Sequence, residues 1–290
     1  MDRKNPLEIV GTTQEDNRKW WEENPMTYLN WGDTPTEFSE DDLQFYRKID
    51  SIFFASSKHF SHPGENQKPF SRLIDFEALN GKRVLEIGCG QGSHAELIAR
   101  AGAQYTGIDI TDKAVRRTRK RFQLNSLSGQ IIQMDAEKMA FPDETFDFVW
   151  SWGVIHHSLN TKAIVDEIYR VLVPQGVAGI MVYHKNSLRY FVQGGLRDGV
   201  FKGKLLTMSL YEVNKRFTDG AIAHHYTRRE ARRMFARFSE VETSVMDGEK
   251  EAYIPILGKY ARKVIPNVMR KIDAGLQKRW GWFLFIEATK

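Results

Sequence analysis

At 290 residues with 41% hydrophobic content and a single cysteine, Cys89, the chain can bury one large core without covalent staples, while an intrachain disulfide, a multi-cysteine zinc site and an iron-sulfur cluster are excluded. Its net charge of +5 is skewed, with 21 Lys and Arg against 11 Asp and Glu in residues 184–290 and 21 against 26 before them, which points to an anionic partner near the C-terminal part or to ordinary solvated helix faces. No apolar run reaches the ~20 residues of a membrane span, the start at Met1 leads into no apolar signal core, and a cytoplasmic protein is expected.

Taken in chain order, residues 20–31 concentrate Trp20, Trp21, Tyr28 and Trp31, a set suited to packing an N-terminal arm against a domain. The apolar spacing of Leu43, Tyr46, Ile49 and Phe53 predicts a helix over 39–60 capped by Ser39, and Pro63-Gly64 breaks the pattern. Val84, Leu85 and Ile87 then form an apolar strand that runs into Glu86-x-Gly88-x-Gly90-x-Gly92, a ligand loop followed by a helix over 93–100. A dinucleotide fingerprint needs G-x-G-x-x-G, and the third glycine here comes one residue early. The next strand, 104–110, contains Asp109, where a carboxylate suits a ribose diol.

Thr111 caps a helix that turns Ala114, Val115, Thr118 and Phe122 to the sheet and leaves its many Arg and Lys residues solvated. Strands follow at 130–134 and 146–150, the latter leading into Ser151, Trp152, Gly153, Val154, Ile155, His156 and His157 at its carboxyl end. A helix over 160–172, a turn at Pro174-Gln175-Gly176 and a fifth strand over 177–183 complete a βα alternation that argues for a parallel sheet with helices on both faces. Thr227-Arg228-Arg229-Glu230 reads as a capping box for a helix burying Ala231, Met234, Phe235 and Phe238, and strands follow at 240–246 and 282–288.

On the segments around Glu86–Gly92, Gly107-Ile108-Asp109-Ile110, Met134-Asp135-Ala136, Phe141-Pro142 and Val171–Gly176, the chain resembles the class I S-adenosylmethionine-dependent methyltransferases, in particular their small-molecule type 11 branch. The resemblance covers residues 81–183. It implies an α/β, doubly wound, seven-stranded Rossmann-like sheet whose last strand enters antiparallel between strands five and six, with an N-terminal helical arm (1–69) on a methyltransferase domain (70–290). It also implies S-adenosylmethionine as cofactor and S-adenosylhomocysteine as product. Gly88, Gly90 and Gly92 would lie under the methionine part, Asp109 would hold the ribose, Asp135 and Ala136 would meet the adenine and Ile110 would pack on its face, with Glu86, Cys89, Ser151 and Trp152 completing the cofactor set. An arm folded over the pocket would make Tyr28 a substrate wall, with Tyr183 another.

Insertions at 185–226 and 249–281 exceed the basic fold and are expected to form a substrate lid. Residues 188–192, 199–206 and 260–266 mix apolar side chains with cations, which suits an anionic or amphiphilic small molecule, or peripheral contact with an anionic membrane, or plain lid packing with snorkelling Lys and Arg. Methyl transfer to a hydroxyl benefits from a general base, and the candidates are His157, His156, His184 and His225. No spaced His and carboxylate set suggests a metal. The expected function is methylation of a small molecule, with oxygen favoured and carbon or nitrogen open. A nucleic-acid acceptor is disfavoured because the motif of exocyclic amine methyltransferases is absent after strand four, protein methylation has no positive sign, and a non-catalytic cofactor-binding module is the rival outside the enzyme class.

Overall fold

The computed structural model describes residues 13–26, 37–61, 68–217, 220–246, 268 and 275–290. Its centre is a sheet in the order β3-β2-β1-β4-β5-β8-β7, built from β1 (Arg83–Ile87), β2 (Gln104–Asp109), β3 (Gln130–Gln133), β4 (Phe146–Trp152), β5 (Leu172–His184), β7 (Glu240–Met246) and β8 (Phe283–Thr289). The first five strands run parallel, and β8 is antiparallel to both β5 and β7, which is the order the resemblance implied. An eighth strand, β6 (His225–Tyr226), adds to the end of β5 opposite Tyr183 and His184, so the first insertion returns into the sheet itself.

Alternation along the strands divides the core in two. Leu85, Ile87, Val149, Ile180 and Ile286 point to one face, covered by α5 (Thr161–Val171) and α7 (Arg228–Met234) with Ile168 and Phe235. Their neighbours Val84, Trp150, Met181 and Phe285 point to the other, covered by α2 (Leu43–Ser61), α3 (Ser93–Arg100) and α4 (Asp112–Leu124) with Phe53, Ile98 and Phe122. Central strands buried on both faces explain the near-continuous apolar runs in the sequence. Each fully buried side chain of this size contributes roughly 1.5–3 kcal/mol.

Local expectations meet four differences. The helix expected from residue 39 starts at Leu43, because the Asp42 carboxylate accepts from Gln44 N at 2.8 Å, whereas Ser39 forms the preceding turn. β4 extends through Ser151 and Trp152, so those two residues are strand and not loop. The expected turn at 174–176 lies within the span of β5, where Gln175 N and Gly176 O pair with Lys290 O and N at 3.1 and 3.0 Å.

The cations of α4 are not all solvated. Arg117 and Arg121 are buried, because carboxylates from other elements meet them: Glu40 bonds Arg117, while Asp50 and Glu96 bond Arg121. The capping box at Thr227 and Glu230 is present in both directions. No helix among the described residues is long and apolar enough to cross a membrane.

Candidate active site

β1 ends in the glycine loop. Gly88 has φ +77°, and a Cβ there would stand 2.2 Å from Val154 Cγ2, so the residue meets both a backbone and a space requirement. Gly88 N and Cys89 N donate to Ile108 O at 2.7 and 3.1 Å, which fastens the loop to the end of β2. Asp109 does the same from its side chain: Oδ2 accepts from Gly90 N at 3.1 Å, and Oδ1 accepts from Thr111 N and Oγ1 at 3.0 and 2.8 Å. Those three bonds leave about one of the carboxylate's four lone-pair positions for a donor in the cavity. Burial raises the Asp109 pKa above the usual carboxylate range, against the opposing pull of these bonds.

The loop floors a cavity of about 970 Å³. One half is acidic and polar, bounded by Glu86, Asp109 and Asp135 together with Gln14 and Asn17 of α1 (Gln14–Glu23). Gln14 Nε2 donates to Asp135 Oδ1 at 3.0 Å, and the Glu22 carboxylate accepts from Lys113 N at 3.1 Å, so α1 lies across this half. The other half is aromatic, with Phe53, Phe60, Trp152, Tyr183, Trp282 and Phe283 on its wall. Phe60 stacks on Trp152 at 5.5 Å, and the Arg189 guanidinium stands 4.8 Å from the Trp282 ring centre, placing one cation at this end.

Of the residues expected to hold a cofactor, Glu86, Gly88, Cys89, Gly90, Asp109, Ile110, Asp135, Ala136 and Trp152 line the cavity. Gly92 and Ser151 do not: Gly92 is the N-cap of α3, and Ser151 Oγ is turned to Ile87 O at 3.1 Å. Cys89 is buried, and burial pushes its thiol well above the usual range. Burial likewise raises Glu86 to about 8, against the lowering pull of Tyr105 OH, which donates to its Oε2 at 2.6 Å.

The four candidate bases separate sharply. His157 lines the cavity, and its Nδ1 lies 2.7 Å from Ile222 O; a carbonyl only accepts, so Nδ1 carries the hydrogen and Nε2 of the neutral ring carries the lone pair. Trp21 meets this ring edge-on at 4.8 Å. His156, His184 and His225 are buried outside the cavity. His156 packs against the His157 and Tyr183 rings, and burial holds its pKa well below the usual value. His184 donates from Nδ1 to Gly281 O at 3.0 Å, and burial holds its pKa down. His225, among Tyr183, Tyr190 and Trp282, is held down to about 3 by burial.

Tyr183 lines the cavity; Tyr28 lies outside the described residues, as does residues 260–266. Sequence reasoning missed His94, Gln14 and Asn17. His94 sits in the first turn of α3 on the cavity wall, held to about 3 by burial, and its place two residues past the glycine loop was the available signal.

Residues 85–180 match the family model described as a methyltransferase domain. A fatty-acid O-methyltransferase from Mycolicibacterium smegmatis is 37% identical over 100 residues, 34% of this chain and 36% of that protein. A sterol 24-C-methyltransferase from Gibberella zeae is 36% identical over 104 residues, 35% of this chain and 27% of that protein. The chain therefore spans about a third of the length of these curated relatives. A solved S-adenosylmethionine-dependent methyltransferase from Archaeoglobus fulgidus shares the fold with TM-score 0.54 at 17% identity, over 86% of this chain and 100% of that one. Segment and fold agree: residues 85–180 match a methyltransferase-domain model, and the sheet that contains them has the fold of the solved methyltransferase, of Rossmann-like type.

Proposed function

We propose that the protein transfers a methyl group from S-adenosylmethionine to an oxygen of a small, lipid-like, amphiphilic acceptor, leaving S-adenosylhomocysteine. The observation that carries this reading is the continuity of one cavity from an acidic half over the glycine loop to an aromatic half ending at Arg189. A cofactor with a cationic sulfonium and ammonium suits the first half, and an acceptor with an apolar body and an anionic group suits the second.

The acidic half fits such a cofactor on its own chemistry. Gly90 leaves open space where a Cβ would stand, with Gly88 O the nearest atom at 3.9 Å. Among the described residues, buried Asn17 Oδ1 and His94 Nε2 on the cavity wall have no hydrogen-bond partner, so a bound molecule would satisfy them. Gly88, Gly90, Asp109, Ile110, Asp135 and Ala136 would hold the cofactor, which supplies an electrophilic methyl group when bound. The chain's own residues do the rest. Positioning contributes roughly 7–11 kcal/mol where it is well made, and α1 excludes water from above. His157 takes the acceptor's hydroxyl proton on Nε2, with Ile222 O fixing the tautomer. The acceptor class draws support from relatives named for a fatty acid and a sterol.

Labelled methyl transfer into a cell extract split into lipid, aqueous, protein and nucleic-acid fractions tests the reading. Label in the lipid fraction is expected; label in protein or RNA, or none anywhere, would overturn it. His157→Ala should lower turnover at least about tenfold while S-adenosylhomocysteine affinity holds. A carbon acceptor is the second reading, favoured by the sterol relative, and turnover untouched by His157→Ala would select it.

A further inference from the structure

After β5 the chain forms a π-helix, Tyr190–Phe201, and a 3-10 turn, Lys204–Leu206. Their outer side leaves large apolar groups in solvent: Phe191, Val192, Leu196 and Val200 are 47% to 58% exposed, and Phe201 and Leu206 are 77% and 89% exposed. Spacings of four or five residues, one turn of an i→i+5 helix, keep these positions together, while Tyr190, Gly194 and Asp198 are buried on the opposite side. Gly194 meets α6 (Leu210–Phe217) so closely that a Cβ would stand 2.1 Å from Asn214 Oδ1, and Leu205 packs over Gly199. The inner side is thus fixed against the protein and the apolar side faces outward.

Cations frame this face. Buried Asp198 bonds Arg197 and holds Lys202 Nζ at 2.8 Å, which anchors two positive side chains beside the exposed Val200 and Phe201. Residues 189–206 carry four cations, Arg189, Arg197, Lys202 and Lys204, against the single carboxylate of Asp198. A second copy of the chain on this face would set like charge against like. An anionic lipid surface satisfies both features, apolar groups entering the acyl boundary and cations meeting headgroups.

We propose that the face formed by residues 190–206 docks the protein on an anionic lipid bilayer. Arg189 immediately precedes the π-helix and stands on the cavity wall beside Trp282, so docking brings the aromatic half of the cavity to the lipid. This docking rests on the face alone and is read without turnover, so it stands or falls separately from the methyl-transfer reading.

The test is sedimentation of the full chain with vesicles of phosphatidylcholine alone and of equal parts phosphatidylcholine and phosphatidylglycerol. Binding at least about tenfold tighter to the anionic vesicles is expected, weakening with salt, since each cation adds roughly fivefold. Phe201→Asp with Leu206→Asp should lose at least about tenfold, and so should Lys202→Glu with Lys204→Glu. Circular dichroism and Tm confirm that both variants fold, as expected for exposed positions. Absence of binding, equal binding to neutral vesicles, or binding that both variants retain would overturn the proposal. So would a dimer in gel filtration that both variants dissociate.

Discussion

Arg121 joins α4 to α2 through Asp50, and to α3 and the glycine loop through Glu96 and Gln91. It is 1% exposed, with Nε 2.8 Å from Glu96 Oε2, Nη1 3.0 Å from Asp50 Oδ1 and 3.3 Å from Gln91 O. Arg121→Met keeps most of the volume and removes the charge, leaving two buried carboxylates. Breaking a buried pair in this way costs about 3–5 kcal/mol. The lower end applies here, because Arg47 stands 3.1 Å from Glu96 and Ser93 Oγ still donates to Asp50 at 2.7 Å.

At roughly 2.1 cal/mol/K of unfolding entropy per residue, a loss of about 3 kcal/mol over 290 residues lowers Tm by about 5 °C. Thermal unfolding followed by circular dichroism measures it. The sign of its pH dependence is fixed as well. Burial works to raise the pKa of Glu96, yet it is held below its ordinary 4.5, with Arg121 the largest of the lowering influences. Its stabilising share is therefore present above that value and lost as pH falls through the depressed one, so the variant's deficit should shrink in acid. A Tm loss under about 2 °C at neutral pH, or a deficit that grows on acidification, would refute the reasoning.

Glu86 titrates in the opposite sense. With its folded pKa raised to about 8, its contribution is present below the ordinary 4.5 and is lost as pH rises from there through 8, so Glu86→Gln should flatten the fall in denaturant midpoint over that window; a parallel fall in both proteins would count against it. Gly88→Ala combines a left-handed backbone with a clash on Val154 and should cost about 2–5 kcal/mol by denaturant unfolding. Asp109→Asn should weaken S-adenosylhomocysteine binding roughly tenfold or more by calorimetry, because a charged acceptor becomes neutral, and unaltered affinity would remove Asp109 from the cofactor site.

What was legible in the sequence was what short-range patterns encode. The apolar run Val84–Ile87, the glycine spacing, the Thr227 capping box and the apolar last strand each sit within a few residues, and each appears where expected. Arg117 and Arg121 were not legible, since a cation on a helix reads as solvated until its carboxylate, 71 residues away for Asp50, is folded beside it. The histidine pairs show the same limit. Adjacent His156 and His157 are equivalent in sequence, and only the packing of Tyr183 and the carbonyl of Ile222 separates a buried ring from one on the cavity wall. The π-helix has no apolar period of 3.6 or 2, so residues 185–226 registered as an insertion with mixed apolar and cationic stretches and not as a helix.

The lone thiol has a practical consequence. Cys89 is enclosed in the glycine loop with its pKa raised, so little thiolate exists at neutral pH and maleimides should react with it slowly. The chain is consequently a ready background for single-site labelling. Leu206→Cys would introduce one fast-reacting thiol at the most exposed of the large apolar positions, and a dye placed there would report the polarity of whatever medium that surface meets.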